Sequence, residues 1–216
     1  MLMEPKPSFC AAYLQGKENR ISTYVDDDFS IRGYKQYWLR EPVDGTDAGN
    51  LTSALYPYKE GTRFQGVIHF HNLRQEELGL LLWCIKLNKN CHQSIGMGKP
   101  YGYGRCNIHI DKLTVYNESS LYDYAALTGE NTSCMTNQVD AYIDAYREHI
   151  AGQLYSGEIA KLDDALRDFF YIKTKIFKES EYDKIRYMSL KQNEFQNVSR
   201  PLDTIKEIRN SNSMQS

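Results

Sequence analysis

Four glycines fall within nine residues, and this loop is the strongest constraint that the sequence places on the fold. They are Gly96, Gly98, Gly102 and Gly104. Glycine reaches positive φ angles without steric cost and has no side-chain bulk, so its backbone can turn tightly or approach a ligand closely. Lys99 lies inside the loop and Arg105 follows it. Clustered backbone N–H groups beside two cations indicate a phosphate site. The alternative is a tight turn that packs against the preceding helix.

The spacing of the loop excludes the two common nucleotide motifs. The sequence has no G-x-x-x-x-G-K-[ST] pattern, and Tyr101 stands where a dinucleotide fingerprint needs its third glycine. A loop that binds phosphate here would therefore act on another kind of phosphorylated ligand.

The segments on either side predict a strand, a helix, the glycine loop and a second strand. Residues 63–71 alternate in polarity as a strand does, and 105–116 alternate again, with a bulge near Asp111. Between them, apolar residues at helical spacing predict a helix over 74–88. Asn72 and Gln75 suit its N-cap and capping box. Cys84, in the middle of this helix, is predicted to lie in the core.

Two domains are predicted, 1–118 around the glycine loop and 119–216 as a mainly helical extension. The extension carries helical patterns at 138–153 and 158–177, and a third at 181–209 broken near Pro201. No motif there indicates chemistry, so its apolar stripes are interpreted as packing or as a face that docks another subunit.

Several motifs follow one another in an order that resembles a known family. Ile31–Trp38 reads IRGYKQYW, Arg63–Leu73 is followed by the ELGLL run at Glu77–Leu81, and Ile95–Gly104 reads IGMGKPYGYG. With Pro7-Ser8-Phe9 before them, they resemble the RAMP superfamily of CRISPR–Cas proteins. Within that superfamily they resemble type III RAMP proteins related to the backbone subunit of the effector, and the resemblance covers roughly residues 5–116.

The resemblance implies an α+β fold with a ferredoxin-like (RRM-like) β-α-β core and a helical C-terminal extension. Only one of the two β-α-β halves of that core is plain in the sequence, and the chain resembles the C-terminal part of such a protein. No residue matches the catalytic aspartate that the family carries in an earlier loop.

The function implied is RNA binding within a type III antiviral effector. The expected partners are crRNA, or the crRNA–target duplex, and other effector subunits. Contacts with the RNA backbone are assigned to the loop residues Gly96, Gly98, Lys99, Gly102, Gly104 and Arg105. No cofactor and no metal are expected.

A second candidate RNA contact lies in the segment before residue 41, where cations alternate with aromatic rings. Its members are Arg32, Lys35 and Arg40 with Tyr34, Tyr37 and Trp38. Bases stack on rings while cations hold phosphates. The alternative is a strand with its aromatics in the core, and Trp38 fits that structural role best.

His69 and His71 lie two residues apart on one face of the first predicted strand. This spacing suits a metal chelate, or a histidine acting as general base toward a ribose 2′-hydroxyl. They are the candidates for an alternative function, a metal-independent endoribonuclease that processes crRNA precursor. A polar strand face explains them more simply, and a solvated turn explains the acidic run at Asp26–Asp28. A further alternative is a protein-interaction subunit without RNA binding.

Composition and charge set the remaining limits. A formal net charge of −2 argues against a strongly basic nucleic-acid binder, although a local basic site is compatible with it. The five cysteines have no C-x-x-C spacing, and the longest apolar run, Leu78–Ile85, is too short to span a bilayer. These features predict a reduced, cytoplasmic protein with no membrane partner.

Overall fold

The structure consists of helices and of strands that are only two or three residues long. It is a computed structural model and describes residues 27, 31, 36–44, 54–116, 132–186 and 203–213. The helices are Gln75–Lys86 (α1), Val139–Leu154 (α2), Ile159–Ala165 (α3), Arg167–Thr174 (α4) and Ile205–Ser213 (α5). The strands are Leu39–Arg40 (β1), Gln93–Ser94 (β2), Arg105–Cys106 (β3), Thr114–Tyr116 (β4), Thr132–Cys134 (β5) and Ile176–Phe177 (β6). Short 3₁₀ helices cover Lys99–Tyr101, Thr136–Gln138 and Glu179–Ile185.

The strands pair two by two. β1 runs parallel to β6, with Leu39 opposite Ile176, whereas β2–β3 and β4–β5 are antiparallel. The predicted α+β class is confirmed at this level. The described residues do not display a ferredoxin-like sheet, so that finer arrangement stays a prediction.

The described residues divide into two compact units that interleave along the chain. The first unit takes its described residues from Met1–Ser53, Gly96–Gly104 and Asp168–Ser216. The second takes them from Ala54–Ile95 and Arg105–Arg167. The predicted boundary at 118–119 lies outside the described residues.

The second unit is built on the contact between α1 and α2. Leu78, Leu82 and Trp83 of α1 are buried, as is Ile143 of α2. The Trp83 ring lies 5.9 Å from the ring of Tyr146, measured between centroids. Burying apolar side chains of this size stabilises the fold by about 1.5–3 kcal/mol each. The helix predicted over 74–88 is thus confirmed, with its apolar stripe facing α2.

The first unit has a small core around β6. Phe177, Ile185 and Ile208 are almost fully buried, and Trp38 packs against them. The Trp38 and Phe177 rings meet edge to face with centroids 5.4 Å apart, an arrangement that aromatic pairs prefer. Trp38 therefore has the structural role predicted for it.

Of the two predicted strands of the β-α-β pattern, the first is missing and the second is shorter than predicted. Residues 63–71 form no strand, and Phe64 is 75% exposed. In 105–116 only the two ends, β3 and β4, are strands. Alternating polarity describes one strand, whereas a ladder also needs a neighbouring strand for its N–H and C=O groups. Within the described part of the chain, residues 63–71 have no such neighbour.

Three further local features differ from the sequence predictions: the start of α1, the burial of Cys84 and the helix over 158–177. The predicted cap at Asn72 is wrong: Asn72 has a left-handed backbone, while Arg74 is extended and its N–H donates to Glu77 Oε2 at 2.8 Å. Cys84 is exposed, so the prediction that it lies in the core is wrong. The single helix predicted over 158–177 is instead α3, α4 and β6.

The predicted helix over 181–209 is also replaced, by a 3₁₀ helix ending at Ile185 and by α5. Residues 187–202, including the predicted break at Pro201, lie outside the described residues. No helix among the described residues is long and apolar enough to cross a membrane.

Candidate nucleic-acid interface

The glycine loop is a turn closed by its own hydrogen bonds. Gly98 and Gly102 adopt left-handed φ angles of 72° and 86° on either side of the 3₁₀ helix Lys99–Tyr101. The N–H groups of Tyr101 and Tyr103 both donate to Gly98 O, at 2.9 and 3.2 Å. The prediction that these glycines permit positive φ is confirmed, since Gly96 and Gly104 share it.

The internal bonds limit how the loop can hold a phosphate. The N–H groups of Tyr101, Gly102 and Tyr103 are used within the turn, so they are not donors to a ligand. Lys99 Nζ also turns back and donates to Gly96 O at 2.5 Å. A ligand at this loop would therefore rely on side chains more than on a cradle of backbone amides.

Gly102 brings the loop against the residues that follow β1. It is buried, and a Cβ placed on it would lie 2.6 Å from Glu41 O and 2.7 Å from Arg40 O. Val43 N–H donates to Tyr101 O at 3.0 Å, which fastens the two segments together. Two motifs that are distant in sequence, the loop and the end of the basic aromatic segment, thus meet within the first unit.

Arg40 is one of the residues on which the loop packs. Its guanidinium carbon is 4.1 Å from the centroid of the Tyr182 ring, within the range of a cation–π interaction. Its Nε is buried and has no hydrogen-bond partner among the residues that the structure describes. Tyr182 OH donates to Glu41 O at 2.9 Å, so the ring is tied to the residue that follows Arg40.

Tyr182 was missed by the sequence analysis. It belongs to the 3₁₀ helix Glu179–Ile185, far from Arg40 in sequence, and no spacing or motif relates the two. Two further rings are partly open to solvent in this unit: Tyr37 is 49% exposed and Tyr101 is 42% exposed.

Three other cations of the first unit are already engaged. Lys175 Nζ donates to Glu181 Oε1 at 2.8 Å, and Lys184 Nζ donates to Asn212 Oδ1 at 2.6 Å. Arg209 Nε lies 2.9 Å from Asp168 Oδ1, an ion pair whose angle is too poor for a hydrogen bond. The Lys175 hydrogen bond, helped by the N–H of Lys178, lowers the pKa of the Glu181 carboxyl. These three cations are therefore paired within the protein, unlike the Nε of Arg40.

The remaining candidates are distributed as follows. Arg105 is exposed at the start of β3, in the second unit. Arg32, Tyr34 and Lys35 lie outside the described residues, as do Asp26 and Asp28.

His69 and His71 are exposed on the segment that forms no strand, so the strand face predicted for them is wrong. No group of three or more metal-ligating side chains occurs among the residues that the structure describes. A general base also needs a group that orients it, and neither histidine has a hydrogen-bond partner among those residues. Their catalytic role stays a prediction.

No family model, curated protein or solved structure matches this chain. The resemblance to RAMP proteins therefore stays a prediction that depends on the motifs alone.

Proposed function

We propose that this chain is an RNA-binding RAMP-type subunit, or part of one, of a type III CRISPR antiviral effector. It would contact the backbone of crRNA, or of the crRNA–target duplex, through the glycine loop and the adjoining β1. We also propose that its core has the ferredoxin-like fold. Its partners would be the other effector subunits, and its location would be the cytoplasm.

The observation that carries the proposal is the contact between the loop and β1. The resemblance alone gives two separate basic motifs, and the packing of Gly102 on the carbonyls of Arg40 and Glu41 joins them. The cations Arg40 and Lys99 belong to the same compact unit as the exposed Tyr37 and Tyr101. Cations combined with exposed aromatic rings are typical of sites that bind single-stranded nucleic acid. The modest net charge fits a localised site better than a protein coated in positive charge.

RNA binding measured by fluorescence anisotropy at several salt concentrations tests the proposal. We expect log K to fall linearly with log salt, with a slope of about −0.7 for each phosphate contact on a single strand. The double variant Lys99→Ala, Arg105→Ala should reduce that slope. The matched control Lys59→Ala, Arg63→Ala removes two exposed cations from a segment outside the proposed site. Equal losses in both variants would mean non-specific attraction, and no binding by the native chain would refute the proposal.

If no RNA binds, the protein-interaction alternative has a specific basis. Large apolar side chains are exposed along the segment that precedes α1: Tyr56, Tyr58, Phe64, Val67 and Ile68. Tyr58 and Phe64 contact each other edge to face across a turn, with centroids 5.2 Å apart. Copurification of a partner whose capture is lost on replacing Phe64 and Val67 by serine would support that function.

A further inference from the structure

The side chain of Arg40 combines three features. It is half-buried, its guanidinium lies over the Tyr182 ring, and its buried Nε has no hydrogen-bond partner within the described part of the chain. Buried donors are nearly always paired, since leaving one unpaired costs free energy. An arginine held in this state is prepared for an acceptor that comes from outside.

Tyr182 fixes where that acceptor must be. The guanidinium is planar and carries five donors in a rigid fork that matches the oxygens of a phosphate. The Tyr182 ring, whose centroid is 4.1 Å from the guanidinium carbon, limits where the fork can lie, and the hydrogen bond from Tyr182 OH to Glu41 O holds the ring beside the end of β1. The entropy of ordering the arginine is therefore lost on folding and not on binding.

We propose that Arg40 is the principal phosphate ligand of the RNA site, that Tyr182 is its positioning residue, and that the site takes unpaired RNA in preference to duplex. This inference rests on the proposed function and deepens it. It also shifts the main contact away from Lys99, whose ammonium group is turned back onto Gly96 O.

The preference for an unpaired strand follows from two exposed aromatic residues in the same unit as Arg40. Tyr37 and Tyr101 expose much of their rings, and splayed bases stack on such rings only when they are not paired in a helix. Duplex RNA offers phosphates but no free base faces. A single strand can use both kinds of contact, and each stacked base strengthens binding.

Substitutions at two positions separate charge, planarity and positioning. Arg40→Lys keeps the charge but loses the fork, and Arg40→Gln loses both. Tyr182→Phe keeps the ring but loses the hydroxyl bond, and Tyr182→Leu loses the ring. Anisotropy with a labelled single-stranded RNA, the same RNA as a duplex, and poly-glutamate as an acidic competitor gives the readouts. Thermal unfolding of each variant confirms that it is folded.

We expect Arg40→Lys and Tyr182→Leu to weaken single-strand binding by about tenfold, while Tyr182→Phe stays within a few-fold of the native chain. Arg40→Gln should reduce the salt slope by about 0.7, the share of one contact. Duplex binding should be weaker than single-strand binding and should change less. Lys59→Gln, an exposed cation outside the site, should leave all three readouts unchanged.

The results of these binding experiments distinguish failure of the Arg40 site from failure of the proposed RNA-binding function. If the native chain binds no RNA, the proposed function and the inference both fail. If RNA binding is lost in Lys99→Ala, Arg105→Ala but unaffected by Arg40→Lys and Tyr182→Leu, only the inference fails. Equal binding of duplex and single strand refutes the preference, and competition by poly-glutamate at matched ionic strength identifies an acidic protein as the ligand instead.

Discussion

Gly79 of α1 lies directly against the backbone carbonyl of Tyr142 of α2. A Cβ on Gly79 would overlap that oxygen and would lie 2.8 Å from the carbonyl carbon and 2.9 Å from the Cβ of Tyr146. The absence of a side chain at this one position lets the two helices approach closely. The buried Trp83, one turn further along α1, then reaches the Tyr146 ring.

Gly79→Ala should therefore be destabilising, although alanine is the better helix former. Overpacking of this kind costs about 1–3 kcal/mol, which outweighs the ~1 kcal/mol that alanine gains over glycine in a helix. Urea unfolding followed by far-UV circular dichroism measures the change. Gly152→Ala is the matched control, because Gly152 lies in α2 with open space around it, and it should be neutral or stabilising. Similar effects of the two substitutions would contradict the close contact.

Gly102→Ala should disrupt the glycine loop more than Gly96→Ala does. Both residues have positive φ, so both substitutions carry the left-handed penalty of about 1–2 kcal/mol. Only at Gly102 would the new Cβ also meet two backbone carbonyls, which cannot move aside as a flexible side chain would. Thermal unfolding and limited proteolysis of the two variants give the comparison. If the two melting temperatures were equal, the loop would not be packed on residues 40 and 41.

The Glu181 carboxylate should stabilise the first unit in a pH-dependent way. Hydrogen bonds from Lys175 and Lys178 lower its folded-state pKa below the ordinary value of 4.5. A lowered carboxyl pKa contributes stability that is complete above the unfolded pKa and is lost as the pH falls through the folded one. Glu181→Gln should thus cost roughly 1 kcal/mol near neutral pH and much less at about pH 3. Glu179→Gln, an exposed neighbour, should show no such difference. Urea titrations at both pH values measure it.

Cys134 should be alkylated faster than Cys84 and Cys91. Its thiol is exposed, and hydrogen bonds with the side chain and backbone of Thr136 lower its pKa. The Cys84 side chain is also exposed, yet crowding of its sulfur by protein atoms raises the pKa of that thiol. Thiolate is the reactive form, so iodoacetamide labelling near neutral pH, mapped by mass spectrometry, should rank Cys134 first. Thr136→Val should slow its labelling, and an unchanged rate would show that the hydrogen bond has no effect.

Sequence patterns predicted local features of this chain well and contacts between distant segments poorly. The α1 helix was predicted because its apolar spacing and length are properties of one continuous segment. The positive φ angles of the loop were predicted because only glycine adopts them freely. The strand over 63–71 was wrong because alternation says nothing about the presence of a second strand. The stacking of Arg40 on Tyr182 joins segments far apart in sequence, and only the folded chain brings them together.

The parallel pairing of β1 with β6 also determines the order in which this protein can assemble during synthesis. Leu39 emerges from the ribosome long before its partner Ile176 exists. At about 5–20 residues per second, the interval is roughly 7 to 27 seconds. The helices α1 and α2 are both complete within that interval, so their contact can form first. The Trp38 ring and Arg40 must wait for Phe177 and Tyr182 in the last quarter of the chain, and a chaperone that shields them would act in that window.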